Sequence, residues 1–453
     1  MKVAVALEYY NPEGGGAERS AHQIVESLAL RGHEVTVFAG KCPEHLLRAN
    51  GHHPDNHMDD DTSQAYVQDV APPGADDSIG AAFDAGDVGQ PQWCTQQGNG
   101  ASAGDGQVIT NGRVSVRIHT CPLTGKLRRG WEMWCFSRWA RRRLMRGAFD
   151  ATLSFTMAVP ARVVEPRGGT VSETLRRNVA MRTSIAGRAI KRIVSAITFK
   201  MFVLQWLERR TLRDRHVHQF VALSQYVVNQ LCDQLRVPAS RVTMIPNGSA
   251  MPRLSAEHRA TWRARVRYHL RVGDDSTLYL FAAHNPRLKG FDTLAEAVCR
   301  LKNQGHLPVV LLAGSIGYSQ VHRSGELGVR DCMRFLGPTR RMAELFTVAD
   351  VTVHPTHYDP SSKVVIESLM MGTPAISTVY NGASDLIVPA HSHPRGRVIE
   401  DPNDASTLAQ AMADLADAQT RNRCKDATAG LFDQLSIERH VDALERVLLD
   451  TGD

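Results

Sequence analysis

"DVTVHPTHYDPSSKVVIESLMMGTPAIST", residues 350–378, is the stretch on which the architecture turns. "DVTVHPTHY" reads as a strand and its exit, with Ser361 as a helix N-cap and residues 362–371 as the helix. Gly372 then ends the helix and Pro374 opens the next strand. Strand, loop, helix and strand in that order are one turn of a parallel α/β layer. The reading also puts Asp359 in the loop before the helix and Glu367 about one and a half turns inside it.

The same alternation runs outward in both directions. "KVAVALEY" and "HEVTVFAG" flank a helical pattern through Ala21, Ile24, Val25 and Leu28. Further on, "QFVALS", "VTMIPNG", "TLYLFAA", "PVVLLAG" and "CMRFLG" are strand-like runs separated by helical ones. With 453 residues the chain exceeds one ordinary core, so two such domains are expected, divided where Pro, Gly and Ser cluster in "IPNGSAMPRLS". That gives 1–245 and 246–430, followed by a terminal helical segment, 431–453, expected to cross back to the first domain.

Charge is unevenly spread. The chain carries +6 in all, yet residues 51–112 hold ten Asp and no Lys, Arg or Glu, which leaves the remaining residues at +16. Such a balance favours anionic partners. The 51–112 stretch shows no periodicity and reads as a disordered insertion, in which "HHPDNH" is more consistent with adventitious than with built metal binding.

Residues 126–146 mix eight basic residues with Trp131, Trp134, Phe136 and Trp139, and 185–210 is apolar but interrupted by Lys191, Arg192 and Lys200. Both suit the headgroup layer of an anionic membrane; the alternative is two ordinary helices packed on the first domain. The basic residues cluster with Trp rather than on a nucleic-acid module, so no nucleic-acid partner is expected.

Eight cysteines without C-x-x-C or zinc-like spacing predict neither structural metal nor disulfides. "MKVAVALEYY" reads as a first strand rather than a signal peptide, and no run reaches the roughly 18 to 20 apolar residues of a membrane span.

Three candidate site features follow. "NPEGGGAERS" joins the first strand to the first helix, a place for either a phosphate or hydroxyl ligand or a tight turn, and it fails as a dinucleotide fingerprint because Arg19 occupies the third glycine position. Arg287 and Lys289, in the loop after "TLYLFAA", lie at the ligand-binding edge of an open sheet, as diphosphate cations or as a solvated pair. Last, the N–H groups of Ser361, Ser362 and Lys363 are expected to point into the space between Asp359 and Glu367. A diphosphate on that helix terminus, with a hydroxyl-bearing sugar at each end, describes a nucleotide sugar.

These residues carry a family resemblance. Asp359 and Glu367 match the E-x7-E motif of retaining, GT-B fold glycosyltransferases of family 4, with Asp in the first position. "GGGAER", "VALSQYV", "IPNG", "RLKG", "FLGP", "ADVTVHPT" and "GTPAIS" fall in that family's order. The layout looks most like the branch that includes the lipopolysaccharide core glucosyltransferases, and it covers nearly the whole chain outside 51–112.

The resemblance implies a GT-B fold, two Rossmann-like domains facing each other across a cleft. It also implies roles: catalysis by Arg287, Lys289 and Asp359; donor binding by those three with Gly15, Gly16, Ser361, Ser362, Lys363 and Glu367; and no metal or other cofactor. Glu367 would hold the nucleotide ribose. Substrates would be a nucleotide sugar, with UDP favoured, and an envelope glycan or lipid-linked acceptor, at the cytoplasmic face of the membrane.

Ser362 replaces a frequent Gly, and Arg162 aligns where relatives often carry an acidic residue in the acceptor strip. Alternatives within the same fold are a nucleotide-sugar epimerase, a phosphorylase, or a membrane-docked scaffold without catalysis.

Overall fold

The computed structural model describes residues 1–12, 14–43, 107–110, 115–123, 129–182, 187–189, 198–270, 272–273 and 276–451. In the first half lie β1 (Lys2–Tyr9), β2 (Glu34–Lys41), β3 (Gln107–Thr110), β4 (Ser115–Thr120), β5 (Ala151–Ser154), β6 (Val163–Val164), β7 (Gln219–Ala222) and β8 (Val242–Met244). They form one sheet in the order β3-β4-β2-β1-β5-β6-β7-β8, parallel throughout except for the β3–β4 pair. The second half holds β9 (Leu278–Ala283), β10 (Val309–Gly314), β11 (Met333–Gly337), β12 (Val351–His354), β13 (Ala375–Thr378) and β14 (Gly396–Ile399). These run β11-β10-β9-β12-β13-β14, all parallel.

The central strands read as apolar on both faces because helices cover both faces. Val3 to Leu7 of β1 are all buried, with Val5 opposite Val37 on one side and Leu153 on the other. In the second sheet all six residues of β9 are buried, and Leu280 pairs with Leu311 and Thr352.

Strand order reverses between β1 and β5 in the first sheet and between β9 and β12 in the second. A crevice opens at the carboxyl ends of the strands at such a reversal. The glycine loop follows β1, the Arg287 loop follows β9 and the Asp359 loop follows β12, so all three candidate features lie at such reversals.

The two sheets divide at the linker after β8, but the chain does not stay in the second half. Helix Ile437–Asp450 returns and places Ile437, Val441, Leu444 and Leu448 in the same core as Val3, Val5, Ile24 and Val35. Its outer face is tied by Arg31 to Asp442 (2.6 Å) and Glu445 (2.8 Å), and by His33 to Glu445 (2.6 Å).

Several expectations are corrected. Residues 107–110 of the supposed insertion are the edge strand β3, paired antiparallel with β4; residues 51–106, including "HHPDNH", lie outside the described residues. Of the three tryptophans in 126–146, Trp131 is exposed, whereas Trp134 and Trp139 pack against buried clusters of the first domain. Arg162 stands at the amino end of β6, where it donates to the backbone of Asp150 and Thr451, so it belongs to the seat of the terminal helix and not to an acceptor strip. Among the described residues no helix is long and apolar enough to cross a membrane.

The returning helix is expected to be integral to the first domain. Leu444→Ala should cost about 2–5 kcal/mol, the usual penalty for an emptied buried leucine site, in urea unfolding followed through the first domain. A loss below about 1 kcal/mol would show that the helix merely rests there.

Candidate active site

The loop between β12 and helix Lys363–Met370 is fixed before any side chain acts. His357 N–H donates to Leu288 O (2.9 Å), Asp359 N–H to Tyr380 O (3.0 Å), and Gly382 N–H to Asp359 O (2.9 Å). Gly290, at φ +83°, permits the close approach, since a Cβ there would collide with Pro355 O. The loops after β9, β12 and β13 are thereby laced together.

On that frame Lys289 Nζ lies 2.6 Å from Asp359 Oδ2, with both side chains mostly buried. Asp359 Oδ1 accepts from Ser361 N–H (3.1 Å), and His354 Nε2 is 3.8 Å from Oδ2. Burial alone would raise the Asp359 pKa, but Lys289 and His354 outweigh it and hold the carboxyl well below the usual carboxylate range. His354 is driven towards its neutral form by burial, with Asp359 opposing and Lys289 adding to the shift. Arg287, two residues before Lys289, is exposed, its carbonyl accepts from Gly290 N–H (3.3 Å), and its side chain makes no hydrogen bond or salt bridge among the described residues.

Eight positions on, Glu367 Oε1 accepts from Ser249 Oγ (2.7 Å) and stands 3.7 Å from Lys363 Nζ. Lys363 reaches across the cleft to Gln23 Oε1 (3.1 Å), on helix Gly16–Leu30. Burial lowers its pKa to about 8; Glu367 opposes the shift, while Arg167 and Arg19 add to it. A Cβ on Gly16 would meet the Lys363 side chain at 3.7 Å, and one on Gly15 would lie 4.0 Å from His284. The glycine loop of the first domain therefore faces the second domain at helix Lys363–Met370.

The backbone donors differ from expectation. The helix N-cap is Ser362 rather than Ser361. The Ser361 N–H is taken by Asp359, and the Ser362 N–H by Asn381 Oδ1 (3.2 Å), which also receives Ala383 N–H. Among the described residues the first-turn N–H groups of Lys363, Val364 and Val365 have no hydrogen-bond partner, as the opening of a helix leaves them.

Sequence reasoning also missed Asn247, whose Nδ2 donates to Ser361 O (3.3 Å) and whose Oδ1 accepts from Arg167 (2.6 Å). The quoted "IPNG" was the available signal. A surface groove lined by Arg259, Arg263, Asp350 and Arg421 lies at the amino end of the second sheet, away from all of these groups.

The site is thus two carboxylates, Asp359 and Glu367, astride an open helix terminus. Lys289, Lys363, Arg287 and Arg19 surround it with positive charge. Such a site can grip a diphosphate and accept hydrogen bonds from hydroxyls on either side. Among the described residues no group of three or more His, Cys, Asp or Glu is arranged to hold a metal ion.

Two parallel-sheet domains facing each other over this arrangement define a GT-B glycosyltransferase. The chain belongs to the glycosyl transferase 4-like family, whose model matches residues 15–248, and residues 264–430 match the group 1 glycosyl transferases.

The fold resembles that of WaaG, a glycosyltransferase involved in lipopolysaccharide biosynthesis (16% identity, TM-score 0.68, 98% of this chain and 99% of that one). It also resembles Anabaena HepE in complex with UDP (15%, 0.61, 99% and 100%). A D-inositol 3-phosphate glycosyltransferase of Geodermatophilus obscurus is 28% identical over 239 residues, 50% of this chain and 51% of that protein. The chain thus spans about half the length of this curated relative.

The buried Lys363 sets a pH dependence. Its pKa falls from an ordinary 10.5 to about 8 on folding, so between those values the unfolded chain binds more protons and stability rises with pH. Relative to Lys363→Met, the wild type should gain unfolding free energy as pH goes from 8 to 10.5. Parallel pH profiles of the two would refute the depressed pKa.

Proposed function

We propose that this glycosyltransferase moves a hexose from a nucleoside diphosphate sugar, UDP-sugar by preference, to a cell-envelope glycolipid or polysaccharide precursor, with retention of anomeric configuration. The observation that carries the reading is the Asp359–Lys289 pair beside the open terminus of helix Lys363–Met370, with Glu367 on its far side. HepE bound to UDP and to UDP-glucose, and WaaG in lipopolysaccharide biosynthesis, support the donor and acceptor classes.

The diphosphate lies on the first-turn N–H groups with Lys289 and Arg287 on its oxygens. Asp359 then exchanges its lysine for hydroxyls of the transferred sugar, and Glu367 accepts from the ribose. The bond from the anomeric carbon to the β-phosphate oxygen breaks and its electron pair stays on the phosphate, where the cations disperse the charge. The acceptor hydroxyl attacks on the face the phosphate leaves and gives its proton to a departing phosphate oxygen. No protein base and no metal is required.

The acceptor comes from a membrane surface. Trp131, Phe199, Phe202 and Trp206 are 49%, 45%, 62% and 43% exposed on two packed helices, Arg129–Arg146 and Phe199–Arg213. Trp131 and Phe199 have ring centroids 5.2 Å apart. Arg138 flanks Trp134, and Arg210 lies 5.6 Å over Trp206. Exposed aromatics ringed by guanidinium groups suit the headgroup layer of an anionic leaflet, which we assign to the cytoplasmic membrane face.

Lys289→Ala should lower kcat/KM for UDP-sugar by about 10²–10³, the usual scale for a lost group that stabilises developing charge, with melting temperature retained. Unchanged turnover would remove Lys289 from the mechanism. An acceptor panel should include lipid-linked glycans and inositol 3-phosphate, with the product anomer read by NMR; an inverted product refutes retention.

Phe202→Ser/Trp206→Ser should abolish sedimentation with phosphatidylserine vesicles while leaving the fold intact. Sedimentation equal to wild type would place the bilayer contact elsewhere.

A further inference from the structure

Helix Val171–Ala180 belongs to the first domain, yet its far side grips the second. The Arg177 guanidinium carbon sits 3.9 Å from the ring centroid of Tyr380, and Arg177 Nε is 2.9 Å from Glu173 Oε1. Glu173 in turn accepts from Tyr226 OH (2.8 Å), whose ring stands edge-on to Tyr358 at 6.1 Å. The Tyr358 hydroxyl enters the turn before the helix, 3.4 Å from Gly168 O and from Gln230 Oε1. Gly169 makes room for it at φ +71°, where a Cβ would collide with the phenol oxygen.

Tyr358 and Tyr380 both bear on the Asp359 backbone. The first precedes it in the chain, and the carbonyl of the second accepts its N–H at 3.0 Å. Arg177 is 8% exposed and Glu173 1%, so the grip is a desolvated one in which a cation over an aromatic face gains most.

The helix itself is seated from the aromatic face described above. Glu208 is 1% exposed on the inner side of helix Phe199–Arg213, among Val203, Leu207 and Thr211. Its carboxylate accepts from Val171 N–H (2.6 Å), Ser172 N–H (3.2 Å) and Ser172 Oγ (2.5 Å). A buried carboxylate is tolerable only when satisfied, and the positive end of a helix satisfies it. Phe202 and Trp206 project from the opposite side of the same helix.

We infer that Arg177 is a positioning residue for Asp359, and that Glu208 sets this grip from the bilayer-facing helix. The inference rests on the reading of Asp359 as the group that holds the transferred sugar. A first domain that clamps the Asp359 loop converts docking of one helix into placement of one carboxylate, because the links between them are buried side-chain contacts.

The test is amide hydrogen exchange of residues 356–362 together with kcat and KM for UDP-glucose, in Arg177→Met, Arg177→Lys and Glu208→Gln. Arg177→Met should accelerate exchange at 356–362, leave β1 unchanged, and lower kcat by at least about tenfold, as small misplacements of reacting groups do. The donor KM should move far less. Arg177→Lys should recover part of both effects, and Glu208→Gln should shift both in the direction of Arg177→Met.

If Arg177→Met does not fold, Tyr380→Leu removes the same stack from the other side. Unchanged exchange at 356–362 in a folded variant overturns the inference, as does a kcat equal to wild type. A wild type that turns over no nucleotide sugar sinks the transfer reading instead, and the exchange data still decide whether Arg177 holds the loop.

Discussion

A buried guanidinium ties this molecule together. Arg167 is 6% exposed, and its side chain donates to Glu165, to Ser20 Oγ (2.5 Å) on the first helix and to Asn247 Oδ1 (2.6 Å) in the linker. From Asn247 the chain of bonds continues to Ser361 O in the Asp359 loop. From Glu165 it continues to His440 on the returning helix at 3.4 Å, and His440 also contacts Pro246 O at 2.9 Å. Burial alone would raise the Glu165 pKa, but Arg167 and His440 outweigh it and hold the carboxyl below its ordinary range. Losing one member of such a buried pair typically costs about 3–5 kcal/mol, because the other is left charged and unsolvated. First helix, linker, Asp359 loop and terminal helix therefore share one set of partners.

That sharing explains why the cleft is where it is. The strand reversals of the two sheets supply two crevices, and the Arg167 hub holds one over the other so that Gly16 meets Lys363. The Asp359 loop satisfies itself: Lys289 neutralises Asp359, and Asp359 and Asn381 take the serine N–H groups. Helix Lys363–Met370 keeps its first-turn donors open. On the proposed reading, substrate binding is an exchange of partners and not the filling of a void, which would suit release of a charged diphosphate.

Much of this was legible in the sequence. Fully apolar runs such as "TLYLFAA" and "PVVLLAG" are strands covered on both faces, and the Asp359–Glu367 spacing astride a helix start follows from helical geometry. Strands β5 and β6, "ATLS" and "VV", were not legible, because Thr152 and Ser154 break the apolar run of the first and the second is two residues long. Nor were the partners of the serine N–H groups, since Asn381 lies 19 residues beyond Ser362 and only the fold brings it back. Trp134 and Trp139 resemble Trp131 in sequence; which of them faces water depends on how helix Arg129–Arg146 rolls onto its neighbours. Arg162 was misread for the same reason, since its strand end was not fixed by pattern.

The proposed donor position is read most directly from a structure of the protein with UDP bound. In that structure the diphosphate is expected on the N–H groups of Lys363 to Val365, Lys289 turned from Asp359 to a phosphate oxygen, and the ribose on Glu367. A nucleotide bound away from helix Lys363–Met370, or one bound there with the Lys289–Asp359 pair intact, would contradict it.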